Sequence, residues 1–155
     1  MLPLSAVLSG LLDFAVASVV LAVLLVWYGI MPTVAITLVP AFLLLAVMTA
    51  TGVGLWLSAL NAMYRDVRHL MPFLIQFWMF ASPVAYPSTL VTKEWRWLYA
   101  MNPLTSVIDG FRWSLTGTNP PANGLLAISV VVMLVLLVGG LVFFQRMEET
   151  VADIV

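Results

Sequence analysis

The densest group of ionisable side chains lies within residues 60–73, LNAMYRDVRHLMPF. A metal site or a Ser-His-Asp triad needs several convergent side chains, and this stretch holds the only histidine of the chain. The only lysine, Lys93, follows no glycine-rich phosphate-binding loop, and cysteine is absent. We therefore predict no catalytic residue, no metal site and no bound cofactor. The group consists of Arg65, Asp66, Arg68 and His69.

This charged group has two interpretations. A short turn between two apolar runs needs side chains that stay in water, and its arginines can bind anionic lipid headgroups. Alternatively, Tyr64, Arg65 and Asp66 hold a fixed shape, in which Asp66 caps the helix that follows. Arg65 or Arg68 would then pair with another membrane helix.

Three further ionisable residues lie in or beside apolar stretches. Asp13 falls inside the first apolar run, where a charge costs about 2.5–3.5 kcal/mol on insertion scales and marks a functional hypothesis. It either makes a polar contact between helices or lines a transport path. Asp109 and Arg112 are three residues apart, so they can pair on one face of a helix. That face is either solvated at the membrane surface or part of a gate.

The composition indicates that most of the chain lies in a lipid membrane. Hydrophobic residues make up 63% of the 155 residues, charged residues only 8%, and the mean hydropathy is +1.11. A soluble domain carries about 25% charged residues, so this chain cannot cover its surface with polar side chains. The net charge of −1 gives no basic footprint for nucleic acid. We predict an all-α integral membrane protein.

Four apolar runs are predicted to cross the membrane. The first would be about 37 Å long and the third about 25 Å. Connectivity then puts the 61–69 turn and the C-terminal tail on one side of the membrane, and residues 87–124 on the other. Basic residues are equally frequent on both sides, so the charge rule gives no orientation. The predicted spans are 4–28, 34–60, 70–86 and 125–144.

Residues 87–124 are predicted to contain a short amphipathic helix. Asn102 is a typical N-cap, Pro103 a typical first helical residue, and Gly117 a typical stop. About 20 Å of helix cannot cross a bilayer, so it should lie in the interface or dip back into it. A smaller helix is expected over 93–101. The predicted apolar face is Leu104, Val107, Ile108, Phe111 and Leu115, and the polar face is Thr105, Asp109, Arg112 and Thr116.

Aromatic residues suggest contacts with sugar, and small residues suggest contacts between helices. Aromatic faces suit sugar C–H groups, although aromatic residues are also common at membrane interfaces without any ligand. The same alternatives apply to Phe77, Trp78 and Phe80, which line a channel or face lipid. Small residues let helix backbones approach closely. The aromatic candidates are Trp95, Trp97, Tyr99 and Trp113, and the small pairs are Ala6 with Gly10, Ala50 with Gly54, and Gly139 with Gly140.

Two longer stretches resemble a known family. LNAMYRDVRHLMPFLIQFWMFASPVAYP is followed by WRWLYAMNPLTSVIDGFRWSLTG. A YRD sequence before a proline-containing aromatic span, with NP and GFRW after it, resembles the permease subunit of ABC-2 type exporters. Within the family it is similar to the branch that exports polysaccharide, such as O-antigen, teichoic acid or capsule precursors. Family permeases have six spans, so the resemblance implies a C-terminal fragment with spans three to six.

The resemblance implies a transport subunit and not an enzyme, with ATP hydrolysed by a separate nucleotide-binding ATPase subunit. It implies a permease homodimer that moves lipid-linked polysaccharide across the bacterial inner (plasma) membrane. The 61–69 turn and the C-terminus would be cytoplasmic, with external gate helices at about 93–116. Tyr64, Arg65, Asp66 and Arg68 would couple to the ATPase. Residues of the conduit or gate would be Asp13, Trp78, Trp95, Trp97, Tyr99, Asp109, Arg112 and Trp113.

Other classes of protein fit less well. An ABC-2 exporter of drugs or lipids would share this fold. An ion-coupled carrier would use several intramembrane carboxylates or discontinuous helices, and the apolar runs hold only Asp13. A membrane enzyme that acts on lipid-linked sugar would need an acid and a base at one depth, and Glu94 with Asp109 forms no recognisable pair.

Overall fold

The computed structural model describes residues 2–30, 34–64, 66–84, 86, 88–117, 120–121 and 123–152. These residues form helices and no strand, as the composition predicts. Short 3-10 helices cover Val34–Leu38, Ser88–Leu90 and Lys93–Trp95. The α-helices of the described residues are α1 (Leu2–Trp27), α2 (Val39–Met63), α3 (Val67–Ala81), α4 (Arg96–Ala100), α5 (Pro103–Thr116) and α6 (Asn123–Ala152).

Three helices of the described residues are long and apolar enough to cross a membrane: Leu8–Trp27, Val34–Met63 and Gly124–Met147. The predicted span 70–86 is not among them. Its helix, α3, has 15 residues and ends at Ala81, because Ser82 is extended with φ −107° and ψ 145°. The length of α3 is about 22 Å, which is short of a full bilayer core.

Other helix boundaries also differ from the prediction. The predicted end of the last span was residue 144, but α6 continues to Ala152. Gln, Arg, Met and Glu are good helix formers, so a polar composition alone does not end a helix. Pro40 lies in the first turn of α2, where a missing N–H removes no helical hydrogen bond, and a 3-10 helix precedes it.

The most extensive helix contact joins α2 and α6. A Cβ added to Gly52 would lie 2.9 Å from the backbone N of Leu137, and a Cβ on Gly140 would lie 2.8 Å from the carbonyl oxygen of Gly52. These glycines therefore let the two backbones approach directly. Trp56 packs against Gly139, stacks on Phe143 with ring centroids 4.8 Å apart, and donates Nε1–H to the Leu136 carbonyl at 3.1 Å.

Contacts along this pair fix its direction. Thr49 shares a cavity of about 10 Å³ with Ser129 and Met133, Gly52 contacts Leu137, and Trp56 contacts Phe143. The residue numbers rise together on both helices, so α2 and α6 are parallel. The predicted arrangement, with the 61–69 turn and the C-terminal tail at the same end, is confirmed for this pair.

Helix α5 packs on α2 and α6 through small residues. A Cβ on Gly110 would overlap the Phe42 ring, and Ser106 and Ser114 are buried. Of the predicted apolar face only Val107 is buried, while Leu104, Ile108, Phe111 and Leu115 are partly buried, and the remaining buried positions of α5 are mostly small residues. Close backbone approach decides packing between membrane helices more than side-chain apolarity does.

The direction of α5 opposes that of α2. Its first turn shares the small cavity with Leu45 and Thr49, while Gly110 and Phe111 meet Phe42 near the start of α2. The helix begins at an Asn102 cap, whose side chain accepts from the Leu104 N–H at 3.1 Å, and ends at Gly117 with φ 68°. Both termini of α5 were predicted correctly.

Helix α1 has few buried residues and leaves a cleft of about 560 Å³ between itself, the Val34–Leu38 segment and α5. Phe14 meets Phe111 across this space, with ring centroids 5.7 Å apart. Among the predicted small-residue contacts, Gly139 and Gly140 are confirmed. Gly10 and Gly54 have no atom within 4 Å of an added Cβ, and Ala50 is exposed; the Ala6 side chain lies outside the described residues.

Candidate functional site

Polar side chains converge where the carboxyl end of α3 meets the amino end of α5. Asn102, which caps α5, also donates from Nδ2 to the Ala81 carbonyl at 3.2 Å and to Ser82 Oγ at 2.8 Å. Ser82 is almost fully buried, with 1% of its surface exposed. The final carbonyls of a helix lack partners within the helix, so Asn102 satisfies one of them from a neighbouring element.

Arg112 makes a further bond to the end of α3, about three turns along α5 from Asn102. Its Nη2 donates to the Pro83 carbonyl at 3.0 Å, and its Nη1 lies 3.5 Å from Asp109 Oδ1. The predicted pairing of Asp109 with Arg112 is confirmed. Since the two side chains remain 20% and 33% exposed, the ion pair itself contributes about 1 kcal/mol or less. We call Asn102, Asp109 and Arg112 with residues 81–83 the α3–α5 junction.

A second set of polar contacts fixes α5 on its other side. Ser106 and Ser129 hydroxyls lie 2.7 Å apart, and Ser129 Oγ donates to the Ala100 carbonyl at 2.9 Å. All three residues are buried. In a bilayer such bonds join helices because no water competes for the polar groups. The serine network of Ser106 and Ser129 therefore ties α4 and α5 to α6.

The predicted aromatic candidates have different surroundings. Trp95 and Trp97 are exposed by 56% and 58% on the short helices before Met101. Tyr99 meets Tyr86 edge-to-face at 6.3 Å, and the Tyr86 hydroxyl donates to the Phe80 carbonyl at 2.9 Å. Trp78 and Trp113 are half-buried.

Two buried polar atoms of the described residues have no hydrogen-bond partner, Trp78 Nε1 and Thr105 Oγ1. Trp78 lies one turn before Ser82 on α3, and Thr105 lies between Asn102 and Asp109 on α5. Both atoms thus belong to the elements that form the α3–α5 junction. An apolar surrounding makes such unpaired groups costly.

The described residues of the 61–69 turn lie mostly at the surface. Tyr64, Asp66 and Arg68 are exposed, and Arg65 lies outside the described residues. Asp66 occupies the N-cap position of α3, but its side chain makes no capping hydrogen bond, so the predicted cap is wrong in its chemistry. The turn is closed by the backbone instead, with the His69 N–H donating to the Asp66 carbonyl at 3.0 Å.

Asp13 lies on the exposed surface of α1. Its neighbour Phe14, and not Asp13, points toward α5. Within the part of the chain that the structure describes, Asp13 makes no hydrogen bond or ion pair. The expected polar contact between helices is therefore not found there, and a place in a transport path stays a prediction.

Sequence reasoning missed the serines. Ser82, Ser106 and Ser129 carry most of the buried polar contacts described above. The available signal was Ser129, the only hydroxyl side chain in the run 125–144. A hydroxyl in an apolar span either bonds a carbonyl of its own helix, as Ser18 does, or contacts another helix, so Ser129 was a candidate for such a contact. Its partners could not be read from sequence.

Long apolar helices, glycine-mediated contacts and buried hydroxyls define an integral membrane protein of the helical-bundle class. The sequence profile of the family described as "ABC-2 type transporter" matches residues 3–116. The chain belongs to this family of ABC transporter membrane proteins.

Similar proteins are known in two bacteria. The chain is 31% identical over 151 residues to the O-antigen export system permease protein RfbA of Myxococcus xanthus, covering 96% of the chain and 58% of that protein. Two Klebsiella pneumoniae proteins of the same name are 27% and 25% identical over 155 residues, covering 99% of the chain and 59% of each protein. The chain thus spans less than two thirds of the length of these relatives.

Proposed function

We propose that this chain forms part of the transmembrane permease subunit of an ATP-driven exporter, which moves lipid-linked polysaccharide across the bacterial inner membrane. The observation that carries the proposal is similarity over 96% or more of the chain to proteins named as O-antigen export permeases. A permease makes and breaks no bond of its substrate. ATP hydrolysis would occur on a separate nucleotide-binding subunit.

In this proposal α3 is a fourth span and the segment after it is a re-entrant gate. Support comes from direction: α3 starts beside the end of α2, and its far end contacts Asn102, close to the serine network in the first third of α6. Helix α5 then runs back along α2 toward residue 39. The segment therefore enters and leaves from one side of the bundle, outside the cell.

Cysteine accessibility tests this topology, because the chain has no native cysteine. Thr116→Cys should react with a membrane-impermeant maleimide on intact cells, and Gln145→Cys should react only after the membrane is opened. Both positions are exposed in the structure. Equal labelling of both variants in intact cells would contradict the proposed cytoplasmic C-terminus.

The exposed 61–69 turn supports contact with the ATPase. Tyr64 follows the end of α2, Asp66 precedes α3, Arg68 lies in the first turn of α3, and all three are exposed. Combined Asp66→Ala and Arg68→Ala substitutions should lower transport-stimulated ATP hydrolysis by the purified complex. Arg96→Ala is the matched loss of an arginine elsewhere in the chain. If the turn variant hydrolyses ATP like the Arg96 variant, the turn is only a hydrophilic connection.

A second permease copy would complete the path. The described side chains of α3 include no buried one, and its apolar residues face outward, which supports a second copy on this side. Ile75, 67% exposed, is a suitable position for a cysteine. Oxidation should link two Ile75→Cys copies in membranes. A lack of linked dimer here and at neighbouring exposed α3 positions would contradict this arrangement.

Deletion of the encoding gene tests the transport function itself. We expect the long-chain polysaccharide to disappear from the cell surface, to accumulate inside as a lipid-linked form, and to return when the intact gene is supplied. Immunoblotting of surface and total polysaccharide measures this. Unchanged surface polysaccharide with altered drug susceptibility or lipid export would assign the chain to an exporter of drugs or lipids.

A further inference from the structure

Helix α3 is held differently at its two ends. No described side chain of α3 is buried, and its contacts with α2 are few. Its amino end follows the exposed 61–69 turn. Its carboxyl end, by contrast, is followed by the buried residues Ser82 and Pro83. Both accept hydrogen bonds from side chains of the α5 segment.

The last carbonyl groups of a helix have no hydrogen-bond donor within the helix, and at the carboxyl end of α3 side chains of the α5 segment supply donors. Asn102 bonds the Ala81 carbonyl and the Ser82 hydroxyl, and Arg112 bonds the Pro83 carbonyl. The Arg112 bond is charge-assisted, and charged donors form stronger hydrogen bonds than neutral ones. The two donors are ten residues apart on α5, so they fix both the position and the direction of the chain leaving α3.

Helix α5 is in turn fixed to the rest of the bundle. The serine network joins it to α6, and Gly110 packs against Phe42 of α2. The carboxyl end of α3 is therefore attached to the α2–α6 pair through α5. Within the described residues, its amino end follows the short connection from Met63, and few contacts join α3 to α2.

We propose that Asn102 and Arg112 are positioning residues that make the α3–α5 junction the pivot of α3. The amino end of α3 moves with the 61–69 turn during transport, while the carboxyl end stays in place on α5. The motion rests on the proposed export function; the fixed attachment does not.

Distances between paired spin labels test the pivot in the purified full chain. The pair Val84→Cys and Val131→Cys reports the carboxyl end of α3 against α6, and the pair Leu70→Cys and Gln145→Cys reports the amino end. All four positions are exposed. We expect a narrow distance distribution for the first pair and a broader one for the second. Equal widths for the two pairs would overturn the pivot.

Substitutions then test the two positioning residues. Asn102→Ala and Arg112→Ala should each broaden the distribution of the Val84–Val131 label pair, whereas Arg112→Lys, which keeps a charged donor, should broaden it less. Asn61→Ala and Arg96→Ala are the matched controls and should leave it unchanged. If a single alanine variant does not fold, the lysine variant still gives the measurement. An unchanged distribution in both Asn102→Ala and Arg112→Ala would overturn the assignment.

Measuring polysaccharide export by the same variants distinguishes a failure of this inference from a failure of the proposed function. Asn102→Ala and Arg112→Ala should reduce surface polysaccharide at unchanged amounts of membrane-inserted protein, and Arg112→Lys should restore part of it. A loss explained fully by a lower protein amount would reduce the residues to a role in folding. If gene deletion leaves surface polysaccharide unchanged while the labels respond as expected, the export function is wrong and the attachment stands.

Discussion

Helices α2 and α3 are neighbours in sequence and opposites in packing. Helix α2 carries five buried residues and approaches the α6 backbone through Gly52. Helix α3 carries no buried side chain among those described, although it is the more aromatic of the two. The aromatic residues Phe73, Phe77 and Phe80 are all more than half exposed.

The difference shows what selects a packing face in a membrane. In water the phenylalanines of α3 would be the first to be buried. Lipid tails are as apolar as phenylalanine, so an outward aromatic face costs little, and close backbone contact decides which helices associate. Glycine and serine therefore mark the closely packed α2–α6 pair, while the aromatic surface marks the helix that remains exposed to lipid, a second copy or substrate.

The largest expected effect contrasts one phenylalanine from each helix. Phe42→Ala should lower the free energy of unfolding by about 3 kcal/mol, because the ring fills the space over Gly110 and beside Phe111. Phe77→Ala should change it by about 0.5 kcal/mol or less, as expected at an exposed site. SDS titration of the purified chain in mixed micelles measures both. Similar losses for the two variants would show that α3 is packed.

The second contrast uses two glycines of α2 and predicts opposite signs. Gly52→Ala should destabilise by about 1–3 kcal/mol, because the added methyl group meets the Leu137 backbone. Gly54→Ala should stabilise by up to about 1 kcal/mol, because the space beside Gly54 is open and alanine favours the helix. The same titration measures both. A stabilising Gly52→Ala would disprove the close contact of α2 with α6.

Sequence patterns predicted the elements of this fold better than their contacts. Apolar length gave α1, α2 and α6, and local chemistry gave both ends of α5 at Asn102 and Gly117. These features depend on residues near in sequence. The Asp109–Arg112 pair was predictable for the same reason, since helix geometry alone brings the two side chains together.

Contacts between distant segments were not predictable in this way. The bond from Arg112 to Pro83 depends on where α3 ends, and hydropathy gave no reason for it to end at Ala81 and not at residue 86. The choice of Gly52 over Gly54 depends on how α2 is rotated toward α6. Both residues are glycines in the same apolar run, so the sequence does not distinguish them and only the tertiary structure does.

The smallest expected effect concerns the serine network, which joins α6 of the closely packed α2–α6 pair to α5. Ser129→Ala removes the hydroxyl that bonds Ser106 and the Ala100 carbonyl, and should cost about 0.6–1.7 kcal/mol, the range for hydrogen bonds between membrane helices. Ser58→Ala is the matched control, because among the described residues its hydroxyl bonds just the Leu55 carbonyl of its own helix. That change should be close to neutral, since such local bonds add little to a helix.

The same two serine variants test whether α3 is attached to α6 through α5. If α5 connects α3 to α6, Ser129→Ala should also broaden the distance distribution of the Val84–Val131 label pair, although residue 129 does not belong to α3. Ser58→Ala should leave it unchanged. A Ser129→Ala variant that loses stability but keeps a narrow distribution would mean that α3 is attached to the bundle by a route other than the serine network.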